Sequence, residues 1–222
     1  MLKIRDDDVL VRSSSWGSPF DRFREIHDWI ADVAGKVVHV PTILVSEIQE
    51  FPDCIAYIKE HTARGTMEPQ LHGLEHIDYA RLGLPKDRLP PRGKVNHAAF
   101  CEDEIKEHTR VVDEHLTTSV KWMEDHLARP TRWYTPWGAD NDYLQRCAGN
   151  AELQLVGTGN LFEISTACDM LRQGASFSDL EKRGEIFIHW WQRGTRVKRL
   201  CAAVRHGSWA EALKREPATF EE

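Results

Sequence analysis

The sequence predicts an α/β fold built on a parallel sheet and held within a single domain, residues 1–222. Three observations carry that expectation. Short β-rich runs alternate with amphipathic helical runs, the order that gives parallel sheets. No internal repeat, low-complexity tract or composition shift marks a second domain, and one α/β barrel of 222 residues is of ordinary size. The apolar share of 41% and charged share of 29% are those of a globular chain, with no stretch near the roughly 20 apolar residues of a membrane span.

Each element follows from its own pattern. Leu2 to Arg5 reads as a short strand that ends in the run Asp6, Asp7, Asp8. From Phe20 to Val33 the apolar residues Phe23, Ile26, Trp29, Ile30 and Val33 recur at three- and four-residue intervals, and Gly35 closes the pattern, as at the end of an amphipathic helix. Val37 to Val45 is a β-rich run with a single Pro. Phe51 to His61 predicts a helix, Thr66 to His72 a short strand, and Glu102 to Leu127 a long helix. Between them Tyr79 to His97 is rich in Pro, Gly and basic residues and lacks a period, so a long loop is expected. Arg132 to Thr135, Leu153 to Val156 and Gly184 to Trp190 predict strands; Asn141 to Gly149 and Ser208 to Lys214 predict helices.

A net charge of -6 and a pI near 6.0 provide no basic field for phosphate backbones, so no nucleic-acid partner is expected. The N-terminus reaches three carboxylates before an apolar segment could form, unlike a secretory signal, and this predicts a cytoplasmic protein with no membrane partner. The five cysteines, Cys54, Cys101, Cys147, Cys168 and Cys201, are scattered without a C-x-x-C pair. Neither a disulfide framework nor a thiolate zinc site is indicated. Eight Trp residues suit apolar or sugar-like surfaces.

Two local patterns carry chemistry. His72 and His76 stand four apart, the spacing at which two imidazoles on one helical turn share a cation. Three adjacent aspartates repel one another, and a bound cation relieves that repulsion; a solvated acidic turn or a helix N-cap is the competing explanation.

Taken with Tyr134-Thr135-Pro136-Trp137-Gly138 and Phe187-Ile188-His189, these patterns resemble, in order, the motifs of the polysaccharide deacetylase superfamily. That superfamily is the NodB-homology group containing carbohydrate esterase family four, and the resemblance spans Leu2 to Trp191. It implies a distorted (β/α)7-type barrel. In the first motif one Asp acts as base and the next as metal ligand; here the pair is Asp7 and Asp8, with Asp6 and Asp7 as the other register. The stretch Arg5 to Val9 resembles the Arg-x-Asp-Asp-Val start of distant members, without the usual following Gly. The second motif, His-x-x-x-His, matches His72 and His76 as metal ligands, and Val40 to Val45 resembles the strand before it. The third is Arg-Pro-Pro-Tyr-Gly, so Tyr134 stands where an Arg orients the base; Arg132 lies two residues earlier, on the same strand face at another depth. The fifth motif makes His189 the general acid, while Asp169 or Asp179 could orient it.

The resemblance thus implies a metal-dependent hydrolase that removes an N-acetyl group from a sugar or related small amide. Asp8, His72 and His76 would hold a divalent metal, most readily Zn2+, with Co, Ni, Mn or Fe also accommodated by such donors. Asp7 would be the base, His189 the acid, and the backbone N–H of Trp137 an oxyanion donor, with Tyr134, Pro136 and Trp190 against a small-molecule or carbohydrate substrate. The expected cytoplasmic location favours a small sugar or glycoconjugate precursor over a wall polymer. The alternative is a degenerate fold of the same family that binds carbohydrate or protein without turnover, motivated by the missing third-motif Arg.

Overall fold

The computed structural model describes residues 1–9, 19–91, 94–136, 141–156, 161–189 and 194–221; at residues 8, 9, 19, 161 and 189 it describes the backbone alone. In chain order the strands are β1 (Leu2–Val9), β2 (Val37–Leu44), β3 (Gln70–Gly73), β4 (Arg132–Trp133), β5 (Gln154–Leu155), β6 (Leu161–Glu163) and β7 (Glu185–His189). The helices are α1 (Pro19–Ala31), α2 (Val45–Ile48), α3 (Pro52–Ala63), α4 (Glu102–His126), α5 (Asp142–Asn150), α6 (Ile164–Arg172), α7 (Phe177–Arg183), α8 (Gly194–His206) and α9 (Trp209–Arg215). The strands follow the order β5-β4-β3-β2-β1-β7-β6. The pairs β1 with β7, β3 with β4, β4 with β5 and β6 with β7 are all parallel. This is the α/β class with the seven strands of a distorted (β/α)7-type barrel, as the sequence predicts.

The chain packs as two compact units. The first comprises Met1–Thr42, Phe51–Pro69 and Gly159–Glu222. Its core is the alternating face of β1 and β7, Leu2, Ile4, Ile186 and Ile188, covered by Ile26 and Ile30 of α1, Ala167 and Leu171 of α6, and Val197 and Leu200 of α8. Helices α6 and α8 lie in stretches for which the sequence analysis assigns no element. Ile164, Ala167, Cys168 and Leu171, like Val197, Leu200, Cys201 and Val204, nevertheless keep three- and four-residue spacing and are buried.

Strand β1 also runs further than expected. Asp6 and Asp7 pair in register with Ile188 and His189, so the ladder to β7 holds the acidic run in a strand that extends to Val9 despite its poor intrinsic preference for one. The pleat then sorts the side chains: Ile4 and Asp6 share the core face, Arg5 and Asp7 the other.

The second unit comprises Ile43–Glu50 and Gln70–Thr158. Leu71, Trp133 and Leu155 of its three short strands are buried, together with Val112, Leu116, Val120 and Met123 of α4 and Leu144 and Cys147 of α5. The long connection after β3 is pinned rather than loose: Tyr79 is fully buried, and His97 Nε2 donates to the Ala80 carbonyl at 3.1 Å.

Candidate active site

In the first unit the site grows from the end of β1. Side chains two apart on a strand share a face, so Arg5 reaches Asp7 directly. Arg5 Nε donates to Asp7 Oδ1 at 2.6 Å, and Nη2 donates to Oδ2, closing a two-pronged pair. From β2, Thr42 Oγ1 lies 3.0 Å from Asp7 Oδ1 and 3.2 Å from the Asp6 carbonyl. Arg5 and Asp7 are each 5% exposed. The guanidinium carbon sits 5.6 Å from the ring centroid of Phe187 on β7, a cation–π contact.

Asp6 takes the opposite direction. It is fully buried, and its Oδ2 lies 3.5 Å from His39 Nε2. Behind it is a chain of imidazoles: His39 Nδ1 is 3.1 Å from His27 Nδ1, and His27 Nε2 is 2.8 Å from His61 Nδ1. Burial, aided by the neighbouring rings, pushes His27 down to about 2 and His39 down to about 3; burial likewise lowers His61. These histidines are therefore neutral at physiological pH. The sequence places Arg5 in the first motif without a role, and it does not indicate Thr42 or the Asp6–His39 contact. Arg5 was legible in principle, because the two-residue strand period brings it beside Asp7; the histidines, spread over α1, β2 and α3, carry no local signal.

In the second unit His72 and His76 come together, their ring centroids 5.8 Å apart with 35° between planes. They do so without a helical turn, which corrects the expected local geometry: His72 lies in β3, one residue before its end, and His76 lies in the bend beyond it. Gly73 makes the bend possible. A Cβ there would stand 2.6 Å from the Tyr79 hydroxyl, which itself accepts the Leu74 N–H at 2.8 Å. His72 is 3% exposed, and its Nδ1 bonds the Tyr134 carbonyl. A carbonyl only accepts, so Nδ1 holds the proton and Nε2 carries the lone pair a cation needs.

Of the other expected site residues, Tyr134 is fully buried, with its hydroxyl 3.3 Å from Arg132 Nη1, and Pro136 is buried. Tyr134 thus meets His72 through its backbone. Asp179 caps α7 through Ser176, and Asp169 pairs with Arg172 at 2.9 Å on an exposed face. Trp137 and Trp190 lie outside the described residues, as do the side chains of Asp8 and His189. Among the described residues no group of three or more His, Cys, Asp or Glu is disposed to hold a metal ion. His72, with its Nδ1 bonded to the Tyr134 carbonyl, and His76 are donors of the type a divalent cation takes, and the expected carboxylate partner is Asp8.

Several solved structures share this fold. A family 4 carbohydrate esterase from Streptomyces lividans in complex with acetate matches with a TM-score of 0.54 at 11% identity, covering 92% of this chain and 86% of that one. Peptidoglycan deacetylase PdaC from Bacillus subtilis matches with a TM-score of 0.52 at 14% identity, covering 99% and 93%. The chain shares its fold with this carbohydrate esterase and this peptidoglycan deacetylase. A CE4 family pseudoenzyme from Bacillus anthracis shares this deacetylase fold, with a TM-score of 0.51 at 11% identity; 92% of this chain spans 59% of it. No family model and no curated protein sequence matches. No helix of the described residues is long and apolar enough to cross a membrane.

Proposed function

We propose that this protein is a metal-dependent amide hydrolase that removes the acetyl group from the nitrogen of a sugar or related small substrate. The observation that carries the reading is the His72–His76 pair, with His72 fixed as the Nδ1–H tautomer by the Tyr134 carbonyl. His72 keeps a ring-nitrogen lone pair for a ligand because its other nitrogen is bonded to the Tyr134 carbonyl. His72, His76 and Asp8 would hold the cation, zinc being the first candidate and Co, Ni, Mn or Fe alternatives. When bound, such a cation polarises the acetyl carbonyl and makes water a better nucleophile near neutral pH.

The chain's own residues supply the rest. Asp7 takes a proton as the water oxygen bonds to the carbonyl carbon. His189 gives a proton to the nitrogen as the C–N bond breaks, because an amide anion is a poor leaving group. The products are acetate and the free amine. The Trp137 N–H would donate to the oxyanion, a preorganised contribution of about 3 to 4 kcal/mol in comparable sites. Tyr134, Pro136 and Trp190 would border the sugar.

The second reading, a binding module without turnover, draws support from the pseudoenzyme that shares the fold. Purified protein loaded separately with Zn, Co, Ni, Mn and Fe separates the two when metal content and acetate release from N-acetylglucosamine oligomers are measured together. Hydrolysis is expected in the wild type, with metal and activity lost together in His72→Ala and His76→Ala. If every loaded form leaves the acetamides intact, the binding reading replaces this one. Full metal occupancy in both variants would falsify the proposed ligands.

A further inference from the structure

The structure assigns Arg5 as the positioning residue of the reaction: with Thr42 it holds the Asp7 carboxylate so that Oδ2 is the oxygen that takes the proton from water. This rests on the reading of Asp7 as the base, and it is carried by the bonding of one carboxylate. A carboxylate oxygen offers two lone pairs. On Asp7, Oδ1 receives two donors, Arg5 Nε at 2.6 Å and Thr42 Oγ1 at 3.0 Å, and is saturated. Oδ2 receives Arg5 Nη2 and keeps one lone pair. Arg5 and Thr42 are the hydrogen-bond partners of Asp7 among the described residues, so proton transfer at this carboxylate goes to Oδ2.

Arg5 is suited to hold rather than to react. Its guanidinium does not release a proton near neutral pH. The planar fork fixes both the position and the rotation of the carboxylate, which a single donor cannot do. The fork is itself braced, lying against Phe187 from the neighbouring strand, while the Thr42 hydroxyl from β2 donates to Asp7 Oδ1. Arg132, the nearest arginine to the third motif, instead meets the hydroxyl of Tyr134. The orienting cation for Asp7 therefore comes from the same strand as the base, two residues earlier.

In the step so assigned, water's oxygen bonds the acetyl carbon and its proton moves to Asp7 Oδ2. The C–N electron pair leaves with nitrogen, which takes a proton from His189. Asp7 then loses its proton to solvent, and His189 regains one, so the sum is amide plus water giving acetate plus amine.

The test is a double-mutant cycle on kcat in metal-loaded protein, with Arg5→Lys, Asp7→Asn and the pair together. Lysine keeps the charge and loses the fork. Arg5→Lys should lower kcat roughly 10- to 100-fold, with KM changed less than about threefold and metal content intact. In the Asp7→Asn background it should have no further effect, because the group it positions has lost its function. Arg5→Gln, which retains a donor for one oxygen, is measured beside it in case one replacement misfolds, and it should show the same coupling. A kcat within twofold of wild type in a folded Arg5 variant overturns the assignment, as does full additivity with Asp7→Asn. Failure of the function itself looks different: the wild type would then release no acetate.

Discussion

Acidification should unfold this protein earlier than its carboxylates alone require, and the imidazole chain sets the window. Folded, His27 titrates at about 2 and His39 at about 3, against an ordinary value of 6.5. Both pKa values are lowered, so both rings are neutral in the native state and protonate on unfolding below pH 6.5. Stability is then fully present above that pH and falls as pH drops from 6.5 toward 3. Each proton taken up on unfolding costs about 1.4 kcal/mol per pH unit, so two cost about 2.7. By pH 5 roughly 4 kcal/mol of stability is lost, a large part of the 5 to 15 typical of a domain. Asp179 and Glu216 have the opposite linkage. Hydrogen bonds from Ser176 and His206 lower their pKa values, so their contribution is present above the ordinary carboxylate range and disappears only below it. The histidine window from pH 6.5 to 5 is thus separate. Urea unfolding at half-unit steps across it gives the slope directly. His27→Gln, which keeps a donor and an acceptor but cannot take the proton, should halve the slope to about 1.4 kcal/mol per pH unit. Equal slopes in the two proteins, or a flat wild-type profile between pH 6.5 and 5, would refute the reasoning.

The two register choices for the acidic run part at Asp7 and Asp8. Asp8→Asn should empty the metal site, whereas Asp7→Asn should keep the metal and lose roughly 100- to 10,000-fold in rate. A metal-free Asp7→Asn beside a metal-loaded Asp8→Asn moves the pair to Asp6 and Asp7. At the bend after β3, Gly73→Ala sets a methyl carbon 2.6 Å from the Tyr79 hydroxyl, and a loss of about 1 to 3 kcal/mol in chemical unfolding is expected. An alanine variant as stable as wild type would show that Tyr79 is free to withdraw.

What the sequence determined by itself is what a strand or helix period encodes locally. The alternation of short strands with helices conveys the α/β class, and Phe23, Ile26 and Ile30 at helical spacing mark α1, of which Ile26 and Ile30 join the core with Val33 just beyond the helix end. The order of the motifs around Asp7, His72 and His189 is likewise written in the chain itself, and the roles it suggests belong to the proposed function. Partners across the fold were not. Whether Asp7 meets Thr42 depends on β1 and β2 bringing those groups to one face, and whether Asp6 meets His39 depends on the other face being closed by α1 and α3. His72 and His76 show the difference most clearly. Their four-residue spacing suggested a helical turn, but β3 pairs with β4 through Leu71 and Trp133, which commits His72 to a strand, and the close approach of Tyr79 to Gly73 bends the chain so that the rings still meet. Spacing along the chain constrains which side chains can meet, and only the packed neighbours decide in which backbone they do so.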